Sequence, residues 1–331
     1  MVVAIIVLGC WATSIPGNLK ATPLPTPPAT VYVDDDFNAS TPGWGSDHFK
    51  AIQNGINAVA ENGTVTVFSG LYTHWLVVNK TIRLIGENKN TTIIDAGAHL
   101  NSVVGITANH VTISGFTIRE SYYGYTYEQV VGIFSNSNTI CGNIVQYGRD
   151  YGILIAGNNN RIVGNIIRNN PCGIFVQDGP APTNNRIYHN NFYLPQGHAY
   201  DASYGNNAWH NGYPSGGNYW DGYTGQDQYS GPGQNISGGD GIGDAPYTIS
   251  GGSNQDMYPL MHPWVPTCGD CNNDDVVDVG DVVYLINYLF KGGPVPQPLD
   301  VGDVNADTNV DVGDVVYLIN YLFKGGPAPT Q

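Results

Sequence analysis

The stretch from Asn138 to Val176 constrains this chain more than any other, because its two halves can be laid over each other. Ile140 falls on Ile162, Asn143 on Asn165, Val145 on Ile167, Gly152 on Gly173 and Ile153 on Ile174. The same frame reaches back through Ile113, Phe116, Ile118, Gly132 and Ile133, and forward to Ile187, Asn190 and Phe192. A repeat of roughly 20–27 residues marks a solenoid, in which each unit buries its apolar face only against its neighbours.

The side chains choose among solenoids. Leu154 is the only Leu between Asn101 and Tyr193, which excludes a leucine-lined core. The repeated apolar residues are mostly Ile and Val, which favour strands. They stand two apart, as in Ile153 and Ile155 or Ile174 and Val176, so both point to one side of a strand. Asn and Gly punctuate every short strand, as left-handed bends require. An Asn at the same turn of successive coils can stack and satisfy backbone groups inside that turn. The expected fold is mainly β, a right-handed parallel β-helix.

Upstream, Val31 to Asp35 reads as a first strand. Gly45-Ser46-Asp47 offers a helix N-cap, Phe49, Ile52, Ile56 and Val59 follow at helical spacing, and Asn62-Gly63 stops the run. A short amphipathic helix there predicts an N-terminal cap over the open end of the solenoid. Earlier still, Val2 to Leu8 is apolar but too short to span a bilayer, and small residues follow near Ala12 to Ser14. Residues 1–20 therefore read as an export signal, with Cys10 as the acylated residue in a second, lipoprotein reading. A Pro/Thr linker (21–30), the solenoid (31–264) and a C-terminal module (265–331) complete the expected organisation of a secreted chain with no transmembrane helix.

Net charge is −15 with Lys and Arg together only 12, which argues against nucleic acid or an anionic membrane as partner. Residues 268–331 hold ten Asp and two Lys, −8 of that total, so acid is concentrated at the C-terminus. There Cys268 to Pro294 and Val301 to Pro327 are a duplication, with DVGDVVYLINYLFKGGP identical in both copies. Each copy opens with oxygen donors at alternating loop positions, the ladder that wraps a hard cation such as calcium. The first has Asp270, Asn272, Asp274, the Val276 carbonyl, Asp278 and Asp281. The second has Asp303, Asn305, Asp307, the Asn309 carbonyl, Asp311 and Asp314, so two calcium ions are expected. Val277 and Val310 can pair the loops as a small strand. Each loop runs into an amphipathic helix (Val282, Leu285, Ile286, Leu289 and Val315, Leu318, Ile319, Leu322) stopped by Gly-Gly-Pro. Loop position 6, normally Gly, is Asp275 and Thr308, and β-branched Thr resists the left-handed backbone needed there.

Between Ile118 and Gly132 the repeat swells with an insertion holding Tyr122, Tyr123, Tyr125 and Tyr127, together with Glu120 and Glu128. Tyrosines stack on the apolar face of a sugar ring while their hydroxyls bond its edges. A self-packed aromatic loop is the alternative, and both readings stand. For lyase chemistry, no Lys occurs between Lys89 and Lys291, leaving Arg119, Arg149, Arg161, Arg168 and Arg186 as candidate bases. Arg161 and Arg186 share one coil position, a repeated surface role, so Arg149 is the least routine. For hydrolysis, Asp150 and Asp178 are the candidate carboxylates, yet their offset along the coil spans up to about 23 Å against the roughly 5–9.5 Å required. Cys268 and Cys271 form a lone C-x2-C, read as a local disulfide or two free thiols rather than a zinc site. Cys141 and Cys172 lie at different coil positions and are not expected to bridge.

Two resemblances follow from these residues. The segment GGNYWDGYTGQDQYSGPGQNISGGDGIGDAPYTI, ending in NQDMYPLMHPW, resembles the C-terminal part of the NosD-like family of β-helix proteins. The resemblance covers roughly Phe49 to Trp264, and pectin-lyase-like enzymes share the coil motif. The NosD role in copper-site maturation is not carried over, since the eight His are scattered and Met number three. Asp221, Asp227, Asp240 and Asp244 read as turn-forming carboxylates of a C-terminal cap, with a calcium site as the alternative. The duplicated loop–helix unit, lacking an entering helix and carrying Asp at position 12, resembles a type I dockerin. That implies a calcium-dependent plug for a cohesin scaffold, with Val279, Gly280, Val312 and Gly313 at the partner-reading positions. Such tails place polysaccharide-degrading components on a scaffold. The expected function is a carbohydrate-binding or polysaccharide-processing component, a lyase or glycoside hydrolase if catalytic. The alternative is a non-catalytic surface or adhesive protein attached through the tail.

Overall fold

The computed structural model describes residues 26–96, 102–120, 129–179, 182–193, 197–272, 274, 276–296, 299–307 and 309–329. The expected export signal, Tyr122, Tyr123, Tyr125, Tyr127, Asp275 and Thr308 lie outside them.

Short strands recur in the order first, second and third sheet along the chain, and within these sheets the coil strands pair in parallel with their equivalents one coil away, while two short antiparallel pairs follow near the C-terminal end of the body. The central coil shows the pattern in Thr139–Cys141, Ile144–Gln146 and Tyr151–Ile155. Its successors are Arg161–Val163, Ile166–Arg168 and Cys172–Val176. The first sheet has eight strands, the second seven and the third six, so the body is a parallel β-helix.

Register follows the sequence overlay except at Gly132 and Ile133, which pair with Leu154 and Ile155 rather than with Gly152 and Ile153 because the insertion before them shifts the frame by two residues. Ile113, Ile140, Ile162 and Ile187 form one inner column, and Ile118, Val145, Ile167 and Phe192 a second. Val131, Ile153 and Ile174 begin a third. All of these are fully buried in a single continuous core. Each such side chain contributes about 1.5–3 kcal/mol on leaving water.

The turns between strands are held by asparagine. Where the first sheet passes to the second, Asn143 N donates to Asn165 Oδ1 (3.0 Å), Asn165 N to Asn190 Oδ1 and Asn190 N to Asn218 Oδ1 (both 3.1 Å). The ladder ends on a carboxylate, with Asn218 N donating to Asp256 Oδ2 at 2.7 Å. A second ladder runs Asn138, Asn160, Asn185, Asn207 where the third sheet returns to the first, and it ends on Asp201. These bonds satisfy N–H groups that burial would otherwise leave without a partner.

At the C-terminal end of the body, Trp220 is stacked between Phe192 and Tyr247 at 4.3 Å on either side. Asp227, Asp240 and Asp244 accept backbone N–H bonds within their turns, while Asp221 pairs with His198. Trp264 then stacks on His189 at 4.9 Å and exchanges two hydrogen bonds with Asn191.

The N-terminal region departs from expectation. His48–Phe49 is a strand paired with Tyr32 and Val33, so Phe49 lies outside the helix and Asp47 bonds His48 instead of capping. The helix α1, Ile52–Ala58, starts after Ala51 with no side-chain cap. Its Ile52 and Ile56 enter the body's core, and Gly55 lies against Val31, Val33 and Val65. The alternation of Val31 and Val33 outweighed the local cap signal, because pairing in a sheet satisfies more backbone than one capping bond.

The tail contains two identical helices, α2 (Val279–Lys291) and α3 (Val312–Lys324). Asp278 and Asp311 cap them through capping boxes with Asp281 and Asp314, and Gly292 and Gly325 end them at φ of 65° and 68°. Val282, Leu285, Val304, Val315, Leu318 and Cys271 form the tail's own core. Val277 and Val310 pack against that core, and no strand joins them among the described residues. No helix among the described residues is long and apolar enough to cross a membrane.

Candidate functional site

On the outer face of the third sheet, one register column reads Val77, Gly105, Gly132, Leu154, Phe175 and Tyr200. The two glycines leave bare backbone as a floor, which lets a ligand approach the main chain closely. Trp75 and Phe134 flank that floor and are each about half exposed. A cavity of about 160 Å³ lies between them, with Ser102, Thr107 and Gln129 as polar lining. It shares Trp75, Leu76 and Val77 with a second cavity of about 720 Å³ that runs toward α1 and also meets Asp35, Lys50 and His74. Gln53 closes the sheet edge there, donating to Val77 O at 3.2 Å and accepting from Val77 N at 2.9 Å. Toward the C-terminus the face continues as stacked rings: Tyr151 on Phe175 at 4.4 Å, and Phe175 on Tyr200 at 5.0 Å. Gln129, the first described residue after the tyrosine insertion, lies on the rim of the smaller cavity.

The candidate catalytic groups do not converge. Tyr151 pairs with Cys172 and Ile155 with Val176, so Asp150 precedes one end of these strands and Asp178 follows the other. At about 3.3 Å per residue their seven-residue offset spans up to about 23 Å where the chain is extended, well beyond the separation of two carboxyls that flank one glycosidic bond. Four of the five arginines have structural partners. Arg119 Nε pairs with Asp95 at 2.8 Å and Arg168 Nε with Gln146 Oε1 at 2.7 Å. Arg161 and Arg186 both lie over the Tyr188 ring, and Arg161 Nε donates to its hydroxyl at 2.6 Å. Arg149 Nη1 is buried with no hydrogen-bond partner among the described residues.

In the first tail loop, Asp274 N donates to Asp270 Oδ1 (3.0 Å) and to Asn272 Oδ1 (2.9 Å), drawing these three positions into one turn. Asp281 closes the loop from the helix, accepting from Asn272 N on Oδ1 (3.0 Å) and Asp278 N on Oδ2 (2.8 Å). The second loop repeats this with Asp303, Asn305, Asp307 and Asp314. Asp281 and Asp314 are fully buried. Burial pushes both carboxyls up, and the neighbouring Asp274 and Asp303 push the same way. Crowded hard oxygen donors with no Lys or Arg in either loop fit a divalent cation such as calcium. Outside the tail, the oxygens of Asp34, Asp35 and Asp36 come within 4.8 Å of one another. Asp278 and Asp311 are engaged as caps, consistent with the water-mediated role of loop position 9. No disulfide joins Cys141, Cys172, Cys268 or Cys271, so the local-disulfide reading of Cys268 and Cys271 is not borne out; their thiols face Asp303 O and Val301 O instead.

Sequence periodicity missed Trp75, Phe134 and the glycine floor. The available signal was Gly at the outward position of successive coils, hidden because the connecting turns differ in length.

Residues 268–323 match the family model described as Dockerin type I domain. Residues 126–225 match the model described as Periplasmic copper-binding protein (NosD). No curated protein matches the chain. Among solved structures, the chain is similar to a pectin methylesterase from carrot at 13% identity and a TM-score of 0.42, covering 63% of each chain. It is also similar to ORF18 of Geobacillus virus E2 at 19% identity and a TM-score of 0.40, over 57% of this chain and 41% of that one. The chain thus spans less than two thirds of the length of either.

Proposed function

Taking the chain as a parallel β-helix protein with a C-terminal type I dockerin domain, we propose that it is a secreted component of a polysaccharide-processing assembly, docked on a cohesin scaffold by its tail. The duplicated loop–helix unit carries this reading, since both loops and helices repeat bond for bond. Calcium, one ion per loop, would be held by Asp270, Asn272, Asp274, the Val276 carbonyl, Asp278 and Asp281, and by their counterparts Asp303, Asn305, Asp307, the Asn309 carbonyl, Asp311 and Asp314. Bound there, it supplies the positive charge that lets buried carboxylates face one another. Val279, Gly280, Val312 and Gly313 begin the two helices and are the candidate partner-reading positions, one pair per copy.

The body holds a glycan chain along the third-sheet groove. Trp75 and Phe134 stack on sugar faces and Gln129 and Ser102 bond hydroxyls, with Tyr122, Tyr123, Tyr125 and Tyr127 of the insertion as further sugar-stacking candidates read from the sequence. Binding without cleavage is favoured over hydrolysis by the separation of Asp150 and Asp178. Arg149 is the remaining candidate base for a lyase.

A glycan array with the intact chain, beside an assay of reducing-end and unsaturated products, tests the body. Binding lost in Trp75→Ala without product release is expected. Product release abolished by Arg149→Ala would instead establish a lyase, and no glycan binding at all would end the reading of the groove. For the tail, calorimetry with Ca²⁺ is expected to show uptake by the intact chain, and its absence would reject the dockerin assignment.

A further inference from the structure

The two tail helices are identical in sequence, yet the body treats them differently. On the first sheet, the outward column Ile85, Ser114, Cys141, Val163 and Tyr188 ought to face solvent, but none is more than 6% exposed. The tail covers it. Tyr284 of α2 is half-buried where Cys141, Arg161 and Arg83 act on its hydroxyl, and desolvation pushes that hydroxyl up to about 12. Tyr288, one turn on, is half-buried beside Arg83. Arg83 Nη1 also donates to Gly293 O, just past the end of α2, at 3.3 Å. The equivalent tyrosines of α3, Tyr317 and Tyr321, are half-buried as well, so the difference lies in the setting of the hydroxyls. The hydroxyl bond of Tyr284 to Val295 O is half-buried, while that of Tyr317 to Ala328 O is exposed.

Beside each tyrosine pair runs an apolar stripe, Val279, Val283 and Phe290 on α2 and Val312, Val316 and Phe323 on α3. The stripes are equally open to water: Val283 and Val316 are 51% and 52% exposed, Phe290 and Phe323 64% and 65%. A water molecule therefore cannot tell them apart. A protein partner can. Thirteen residues of helix are about 20 Å long and 10–12 Å wide, a footprint of roughly 200 Å². A stable interface covers about 800 Å² on each side, so a partner centred on a stripe spills well past its helix. On α2 it spills onto the solenoid that holds Tyr284 and Tyr288. On α3 it meets solvent.

Resting on the dockerin reading above, we propose that the body seats α2 on its first sheet and leaves α3 as the helix through which the intact chain engages its cohesin. Val312, Val316 and Phe323 are then the working stripe, and the duplicate on α2 is shaded. The partner surface this fits is apolar and uncharged, since the α3 stripe carries no ionisable side chain.

The test uses the full chain in Ca²⁺ against a panel of recombinant type I cohesin modules. Val316→Asp with Phe323→Ser is expected to weaken binding at least thirtyfold, and Val283→Asp with Phe290→Ser less than threefold. In Tyr284→Ala with Tyr288→Ala, which frees the tail, the two stripes are expected to become equivalent within threefold. Equal losses from both stripes in the unaltered background would overturn the proposal, as would a larger loss from α2. Alkylation of Cys141 gives a readout independent of any partner. The thiol is expected to be protected in the intact chain and exposed in the tyrosine double variant. Rapid labelling of the intact chain removes the seat and the proposal with it. Failure to bind any module while Cys141 stays protected would reject the cohesin partner and leave the seat standing, which separates the two claims.

Discussion

The first and third sheets come from the same coils and share one apolar core, yet their outer faces have opposite fates. The first presents Cys141, Val163 and Tyr188, a buried outward cluster, and α2 of the tail comes against it beside Cys141 and Arg161. The third presents Gly105 and Gly132 between two half-exposed aromatic rings, and no described residue closes over that cleft. A flat apolar face suits a helix, whereas a trough with aromatic walls suits a narrow, ring-shaped ligand. The coil supplies position; the outward residue at each register place decides use.

The sharpest way to break this comparison is at the C-terminal end of the body, close to the tail's seat and far from the groove. Asp256 is fully buried, and desolvation pushes its carboxyl up to about 7 against N–H bonds from Asn218, Trp220 and Tyr258 that pull the other way. A carboxyl raised on folding gives stability that is complete below its unfolded value near 4 and is lost as pH rises through about 7. Three units at about 1.4 kcal/mol each make this on the order of 4 kcal/mol. Relative to Asp256→Asn, the wild type should lose that much stability between pH 4 and 7 in urea titrations. Hydrogen exchange should place the loosening at Arg186–Tyr188 and the Trp264 junction before Trp75. A flat difference between the two proteins would show that the N–H donors keep Asp256 charged throughout.

Removing a rung tests the part both faces share. Asn165 accepts from Asn143 and donates to Ile140 O (2.8 Å) and Val163 O (3.1 Å), so Asn165→Ala leaves several buried groups without partners. A loss of about 2–4 kcal/mol is expected, with Cys141 protection and glycan binding falling together. If one survives intact while the other fails, the faces are not coupled through the coil.

The parts that periodicity governs were legible from the residues alone. The inner Ile and Val columns, the Asn143–Asn165–Asn190 ladder and the tail's loop–helix pairs all recur at fixed offsets, and each sits where its repeat placed it. What was not legible depends on contacts between coils. Asp256 ends one ladder from a short antiparallel pair outside the repeat, Asp201 ends the other from the inward place that Val176 holds one coil earlier, and Phe49 joined a sheet despite its helical spacing. The tail's seat is invisible in sequence because Cys141, Val163 and Tyr188 share neither size nor chemistry, only an outward position. Trp75 and Phe134 lie in coils of different length, so nothing in the spacing brings them to one trough.

On the open face, Trp75→Ala removes one wall of the trough without touching the inner columns. Glycan affinity should fall about tenfold, the worth of roughly 1.4 kcal/mol of stacking, with the urea midpoint and Cys141 protection unchanged. A fall in both affinity and Cys141 protection would mean that the two faces communicate, and the contrast drawn between them would have to be abandoned.

The smallest effect discriminates most finely, because it adds a single methyl group to the floor. A Cβ on Gly105 would meet nothing nearer than Leu76 O at 3.8 Å, and the residue does not have a left-handed backbone. Gly105→Ala should therefore change stability by less than about 0.5 kcal/mol. A Cβ on Gly132 would collide with Ser102 Oγ and lie 2.6 Å from the Phe134 ring, so Gly132→Ala must displace one wall of the trough and cost more. If sugar rings lie on bare backbone, both variants weaken glycan binding severalfold, Gly105→Ala by occupancy alone and Gly132→Ala by occupancy and displacement. If Gly105→Ala binds as the wild type does, the ligand touches only Trp75 and Phe134, and the glycines serve to let Phe134 lie down. The third-sheet face would then be a pair of aromatic contacts on an ordinary sheet rather than a trough.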